Sequence, residues 1–165
     1  MELLIRSAHQ DDYESLLPMF RQVHDLHVVE RPDLYKENPT PVGKEFFLNQ
    51  LTDLKQRIFV ATIGLEIIGV VVTREEDIAE NSFVNARKIL YVSSLCVSET
   101  HRNKGAGKKL LQYVIEFGGS LKVDSVELGV SEKNASAILF YESFGMTTKS
   151  RKMEFRLNER KTIAL

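Results

Sequence analysis

The 165-residue chain has one cysteine, Cys96, no tryptophan and only four prolines. A single cysteine excludes an internal disulfide and any zinc site built from several cysteines. No apolar run approaches the roughly 18 residues that a membrane helix needs, so no membrane span is expected. The opening MELLIRSAHQDD lacks the basic start and apolar stretch of a secretory leader. Together these absences lead us to expect a cytoplasmic protein. Net charge is also lacking, at −1, which argues against a general nucleic-acid binder. With 43% apolar and 27% charged residues, the chain is neither disordered, collagen-like nor a coiled coil. Its length predicts one domain over 1–165.

The near-zero charge conceals an imbalance. Residues 1–80 carry 15 acidic and 8 basic residues, and residues 81–165 carry 8 acidic and 14 basic ones. The halves thus stand at −7 and +6, which suggests either two differently charged ligands or an unevenly decorated surface.

Leu3 to Ile5 reads as a short strand. A helix over about 10–30 comes next, with Leu16, Leu17, Phe20 and Val23 at intervals of three and four. Pro18 should kink it or delay its regular start. Arg31-Pro32 ends it, residues 32–41 read as a loop, and a second helix spans about 42–54. Strands at about 57–63 and 66–73 are joined at Gly64-Leu65. Residues 74–88, with Glu75, Glu76, Asp77 and Glu80, read as a loop. Ile89 to Val97 is a long strand, 105–118 an amphipathic helix, 125–130 a strand and 134–144 a helix stopped by Gly145. Met146 to Leu157 reads as one or two final strands. The order β-α-α-β-β-β-α-β-α-β(β) predicts an α/β fold, a mixed sheet with helices on both faces.

The stretch Leu95-Cys96-Val97-Ser98-Glu99-Thr100-His101-Arg102-Asn103-Lys104-Gly105-Ala106-Gly107-Lys108 carries the chemistry. A buried strand runs into a basic, glycine-containing loop that opens a helix. Unpaired N–H groups at a helix start carry partial positive charge, and glycine lets an anion approach the backbone. Arg102, Lys104 and Lys108 add full charges, so the loop is a phosphate or pyrophosphate cradle. It is not a P-loop, because Lys109 rather than Ser or Thr comes after Lys108. It is not a dinucleotide fingerprint either, because position 110 is Leu. What stands there is R-x-x-G-x-G at 102–107.

The next helix has Asn134 as its N-cap and Tyr141 two turns further on the same face. With its N-x-x-A-x-x-x-Y-x-x-x-G-[FM] pattern, this combination resembles the GNAT superfamily of acetyl-CoA-dependent N-acetyltransferases. The element order over residues 3–157 resembles it as well. The resemblance implies splayed parallel strands, with the strand before the loop bulged and the pantetheine arm of acetyl-CoA in the opening. The arm would pair with backbone groups of Leu95, Cys96 and Val97. The pyrophosphate would lie on the amides of Asn103, Lys104, Gly105, Ala106, Gly107 and Lys108, helped by Arg102. Asn134 would contact the arm, and Tyr141 would face the sulfur and give a proton to the leaving thiolate.

The implied activity is direct transfer of an acetyl group to a primary amine, small or peptidic, in a ternary complex. Val97 N–H is our choice for the donor that stabilises the carbonyl oxygen. Many family members carry an acidic residue on the splayed strand, but here the region is Tyr91-Val92-Ser93-Ser94. Glu30, Glu75, His24, His27 or a water relay are left as candidates for base. The missing carboxylate also leaves open a non-catalytic acyl-CoA sensor. His24 and His27 have metal-capable spacing, but no third ligand is apparent and no metal is expected. Glu30 to Tyr35 and the two histidines are better read as lining the acceptor pocket, or else as a helix face. Cys96 reads as a small buried hydrophobe. The acidic first half favours a cationic acceptor. No nucleic-acid or membrane partner is expected, and a homodimer is favoured because dimers occur on this scaffold.

Overall fold

A computed structural model describes residues 2–157. They fall into two compact units, one ending at Gly129 and one beginning at Val130.

The first unit is a five-stranded sheet in the order β1-β2-β3-β4-β5 with three helices: β1 (Leu3–Ser7), α1 (Tyr13–Glu30), α2 (Lys44–Thr52), β2 (Gln56–Ile63), β3 (Glu66–Ile78), β4 (Arg87–Val97), α3 (Ala106–Ser120) and β5 (Ser125–Leu128). The first four strands run antiparallel to their neighbours, and β5 lies parallel to β4. Alternation along β2 sorts the core into two layers. Ile58 and Val60 pack with Leu16, Phe20 and Phe47 of α1 and α2. Phe59 and Ala61 pack with Leu110 and Val114 of α3. Helices therefore cover both faces, as the pattern predicts. Gly64, with φ of 60°, opens the two-residue turn that joins Ile63 to Glu66.

The helix over 10–30 begins as a 3-10 turn at Gln10–Asp12 and runs through Pro18. Its start is held by Arg6, which grips both carboxylate oxygens of Asp12 at 2.7 and 2.9 Å, while His9 N–H donates to the same carboxylate. Pro18 has no N–H to donate to the preceding turn.

The predicted loop over 74–88 is a correction. Arg74 to Ile78 continue β3, paired with Arg87 to Tyr91, so only residues 79–86 connect the strands. The charged residues stay in the ladder because their partners lie beside them: Lys55 meets Asp77, and Arg74 meets Glu76 and lies over the Tyr91 ring.

The second unit holds α4 (Ala135–Glu142). Gly145 N–H bonds to Glu142 O and Met146 N–H to Tyr141 O, with Gly145 at φ 85°. This is a Schellman stop with Gly145 just past the helix, as expected. Residues 146–157 form no strand. Met153, Phe155 and Leu157 alternate with charged residues, yet all three are well exposed. The alternation suggests a strand, but no neighbouring strand pairs with it among the described residues.

Candidate functional site

The site begins with a break in β4. Val72 pairs with Ser94, but the next residue of β3, Thr73, pairs with Val92, so Ser93 is a bulged extra residue. The bulge shifts the side-chain phase. Leu90 and Val92 face α3 before it, and Leu95 and Val97 do so after it, while Cys96 faces α1.

On its other edge β4 pairs with β5 only from Ile89 to Val92. Beyond Val92 no strand of the described residues lies along that edge. Ser98 N–H donates to Ile68 O at 2.8 Å. Antiparallel ladders alternate bonded and non-bonded pairs. The register therefore turns the backbone groups of Cys96 toward β3 and those of Leu95 and Val97 toward the open edge. The expected trio of open-edge residues is corrected to Leu95 and Val97.

Cys96 is buried, and its Sγ receives the Gln22 carboxamide at 3.1 Å. Burial pushes its thiol up to about 11, so it is a packed side chain and not a nucleophile.

From Val97 the chain makes a 3-10 turn at Glu99–His101 and reaches α3 through two left-handed residues, Asn103 at φ 61° and Gly105 at φ 86°. Asparagine and glycine tolerate that region best. Gly105 is the N-cap of α3 and supplies no side-chain cap; the first intrahelical bond is Lys109 N–H to Gly105 O. The N–H groups of Ala106, Gly107 and Lys108 therefore have no acceptor within the helix. Arg102, Lys104 and Lys108 are exposed around this end. Arg102 lies 3.6 Å from Glu99, and Lys104 reaches Thr100 O at 3.2 Å. A Cβ at Gly105 would meet nothing within 4 Å. Open space, unspent amides and three cations are what a diphosphate requires.

In the second unit Asn134 caps α4, its side-chain oxygen accepting from Ala137 N–H at 3.1 Å. Ser136 Oγ donates to the same oxygen at 3.2 Å, so the cap uses the carbonyl end of the side chain. Tyr141 is partly buried, and burial pushes its phenol pKa up.

The candidate bases scatter. His24 Nε2 donates to Lys36 O at 2.8 Å, and the His27 ring stacks on Tyr35 at 5.2 Å. The two histidines thus hold the loop after α1. Among the described residues no group of three potential ligands could hold a metal. Glu75 lies within the β3–β4 ladder. A groove of about 570 Å³ beside α1, lined by Arg21, Asp25, Val28 and Glu37 among others, includes no residue of β4 or of the glycine loop. Sequence reasoning missed Gln22, which also donates to Val97 O at 3.1 Å. A glutamine on an amphipathic helix carries no signal by itself.

A model of the Acetyltransferase (GNAT) family matches residues 20–146. The L-amino acid N-acetyltransferase AaaT of Escherichia coli is 28% identical over 145 residues, which are 87% of this chain and 82% of that protein. The crystal structure of a mutant BH1408 protein from Bacillus halodurans has a TM-score of 0.91 at 32% identity, covering 93% of this chain and 99% of that one. An aminoglycoside acetyltransferase, meta-AAC0020 from an uncultured soil metagenomic sample, shares the fold with a TM-score of 0.71 at 19% identity, over 93% of this chain and 94% of that one.

Proposed function

The chain belongs to the acetyltransferase (GNAT) family, and we propose that it moves an acetyl group from acetyl-CoA to a primary amine by direct attack in a ternary complex. The observation that carries the proposal is the parting of β4 from β5 after Val92, directly upstream of the glycine-capped start of α3. Bound acetyl-CoA supplies a thioester that an amine can attack and a thiolate that can leave.

The open edge serves the pantetheine arm through the backbone groups of Leu95 and Val97. Val97 N–H stabilises the negative charge that gathers on the carbonyl oxygen. The amides of Asn103 to Lys108 take the pyrophosphate, and Arg102, Lys104 and Lys108 add charge around it. Arg102 would exchange its exposed pairing with Glu99 for the phosphate, at little cost.

Asn134 and Tyr141 are assigned by their motif. Burial raises the Tyr141 pKa, whereas a free thiol ionises near 8.5, so full proton transfer from the phenol to the thiolate runs uphill by roughly 2 kcal/mol or more. Tyr141 therefore acts as a hydrogen-bond donor to the departing sulfur. With no carboxylate at Tyr91 to Ser94, the amine's surplus proton leaves through water.

The acceptor is a primary amine. The similarity to an L-amino acid N-acetyltransferase supports an α-amine as one candidate. The acidic half of the chain supports a cationic one, although Glu76 and Asp77 already face Arg74 and Lys55. The absent strand carboxylate favours one competing reading, an acyl-CoA sensor without turnover.

Thiol release from acetyl-CoA with a panel of L-amino acids and polyamines tests the proposal. Amine-dependent release is expected. Saturable acetyl-CoA binding without release from any amine would establish the sensor instead.

A further inference from the structure

Gln22 lies in the middle of α1 and is half-buried. Its carboxamide nitrogen donates to Val97 O and to Cys96 Sγ, each at 3.1 Å. A primary amide has two N–H groups, and both are spent here. Val97 O can only accept, so the nitrogen must face it; turned over, the amide would set oxygen against oxygen. The group is therefore held in one orientation. Its Oε1 lies about 2.3 Å from the nitrogen by covalent geometry, and so stays beside Val97. Among the described residues the Gln22 side chain makes no other hydrogen bond. No buried side-chain oxygen there lacks a partner, so Oε1 reaches solvent. A rigid, unspent acceptor thus stands next to the residue whose backbone groups face the open edge of β4.

We infer that Gln22 binds the acceptor: its Oε1 takes a hydrogen bond from one N–H of the incoming amine. The inference rests on the acyl-transfer reading. A neutral primary amine has two N–H groups and one lone pair, and only one rotation aims the lone pair at the thioester carbon. Holding one N–H at Oε1 selects that rotation. The carboxamide is not a base and takes no proton. As the C–N bond forms and the C–S bond breaks, the amine's surplus proton passes through water and the sulfur leaves as the thiol. Gln22 also anchors the Val97 peptide, which ties acceptor position to the backbone that holds the thioester.

The test compares the whole wild-type chain with Gln22→Met, which keeps the length but loses the polar atoms. Thiol release is measured with the twenty L-amino acids and spermidine, and steady-state constants on the amine that works best. Acetyl-CoA affinity is measured by calorimetry, and folding by thermal melts. Losing one neutral hydrogen bond should raise the acceptor KM of Gln22→Met roughly fivefold to tenfold, with acetyl-CoA affinity within about twofold. An unchanged acceptor KM in Gln22→Met overturns the inference. So do equal losses in acetyl-CoA affinity and acceptor KM, which mark a purely structural role. A wild-type chain that binds acetyl-CoA but releases no thiol with any of these amines overturns the acyl-transfer reading, and the inference with it.

Discussion

Val92 and Leu128 are the last paired residues of β4 and β5, and the residue after Val92, Ser93, is the one that bulges out of the β3 ladder. One event thus does two things. The bulge rotates the strand, and the neighbouring strand is left behind at the same point. Past that point the backbone groups of Leu95 and Val97 point away from β3, which holds them rigid from the other side, and Val97 O takes the Gln22 carboxamide.

That rigidity depends on Gly69. It pairs with Val97, and a Cβ there would come within 2.9 Å of Leu110 Cδ1 and 3.2 Å of Cys96 O. Gly69→Ala must push either the α3 packing or β4 itself. A loss of about 1–3 kcal/mol is expected in chemical denaturation. Acetyl-CoA affinity should fall with it, because the displaced backbone belongs to the proposed site. Unchanged stability would show that Leu110 yields freely.

Gly105 gives a cleaner separation. Its φ of 86° strains any other residue, yet a Cβ would strike nothing. Gly105→Ala should cost about 1 kcal/mol in stability from backbone strain alone. If the loop shifts to relieve that strain, the amides of the cradle lose their aim, and acetyl-CoA binding weakens by more than stability does. Normal affinity in a destabilised Gly105→Ala would show that the loop keeps its shape under the strain or that the pyrophosphate lies elsewhere.

Much of this loop is legible in the sequence, because glycine, asparagine and basic residues each have a stated physical role at a helix start. The bulge is also legible in retrospect. Leu90 and Val92 alternate on even positions and Leu95 and Val97 on odd ones, and only an extra residue between them keeps both pairs on one face. The extension of β3 through Arg74, Glu75, Glu76 and Asp77 is not legible, since charges in a row look like a loop until their cross-strand partners are known. Met153, Phe155 and Leu157 mislead the other way: alternation states what a strand would bury, not that a partner strand exists. Gln22 is hidden because its two contacts lie 74 and 75 residues away.

Tyr141→Phe should lower kcat about tenfold to a hundredfold and leave acetyl-CoA affinity nearly unchanged, since only a donor to the departing sulfur is removed. Burial holds the Tyr141 phenol above its ordinary value of 10.0. It therefore stays protonated through the neutral range, and its ionisation should give no falling limb in the kcat profile below about pH 10. Turnover unchanged in Tyr141→Phe would remove the tyrosine from the mechanism.

Asp12 predicts a pH effect on folding. Arg6 holds its carboxyl below the ordinary value of 3.8, with burial opposing. A carboxyl lowered in the folded state adds stability above its unfolded pKa and loses it as the pH falls through the folded value. The Tm difference between wild type and Asp12→Asn should be constant above about pH 5 and shrink below about pH 4. A difference independent of pH would mean that the pairing with Arg6 contributes nothing.

The proposed function stands on acetyl-CoA lying along β4 beyond Val92 and over the start of α3. A titration of the 15N-labelled chain with acetyl-CoA, read residue by residue in amide spectra, probes that placement without any assumption about the acceptor. Saturable shifts should concentrate at Leu95, Val97 and the amides from Asn103 to Lys108, with little change at Cys96, whose N–H is bonded into the β3 ladder. Binding that leaves these amides unmoved, or no binding up to millimolar acetyl-CoA, would contradict it.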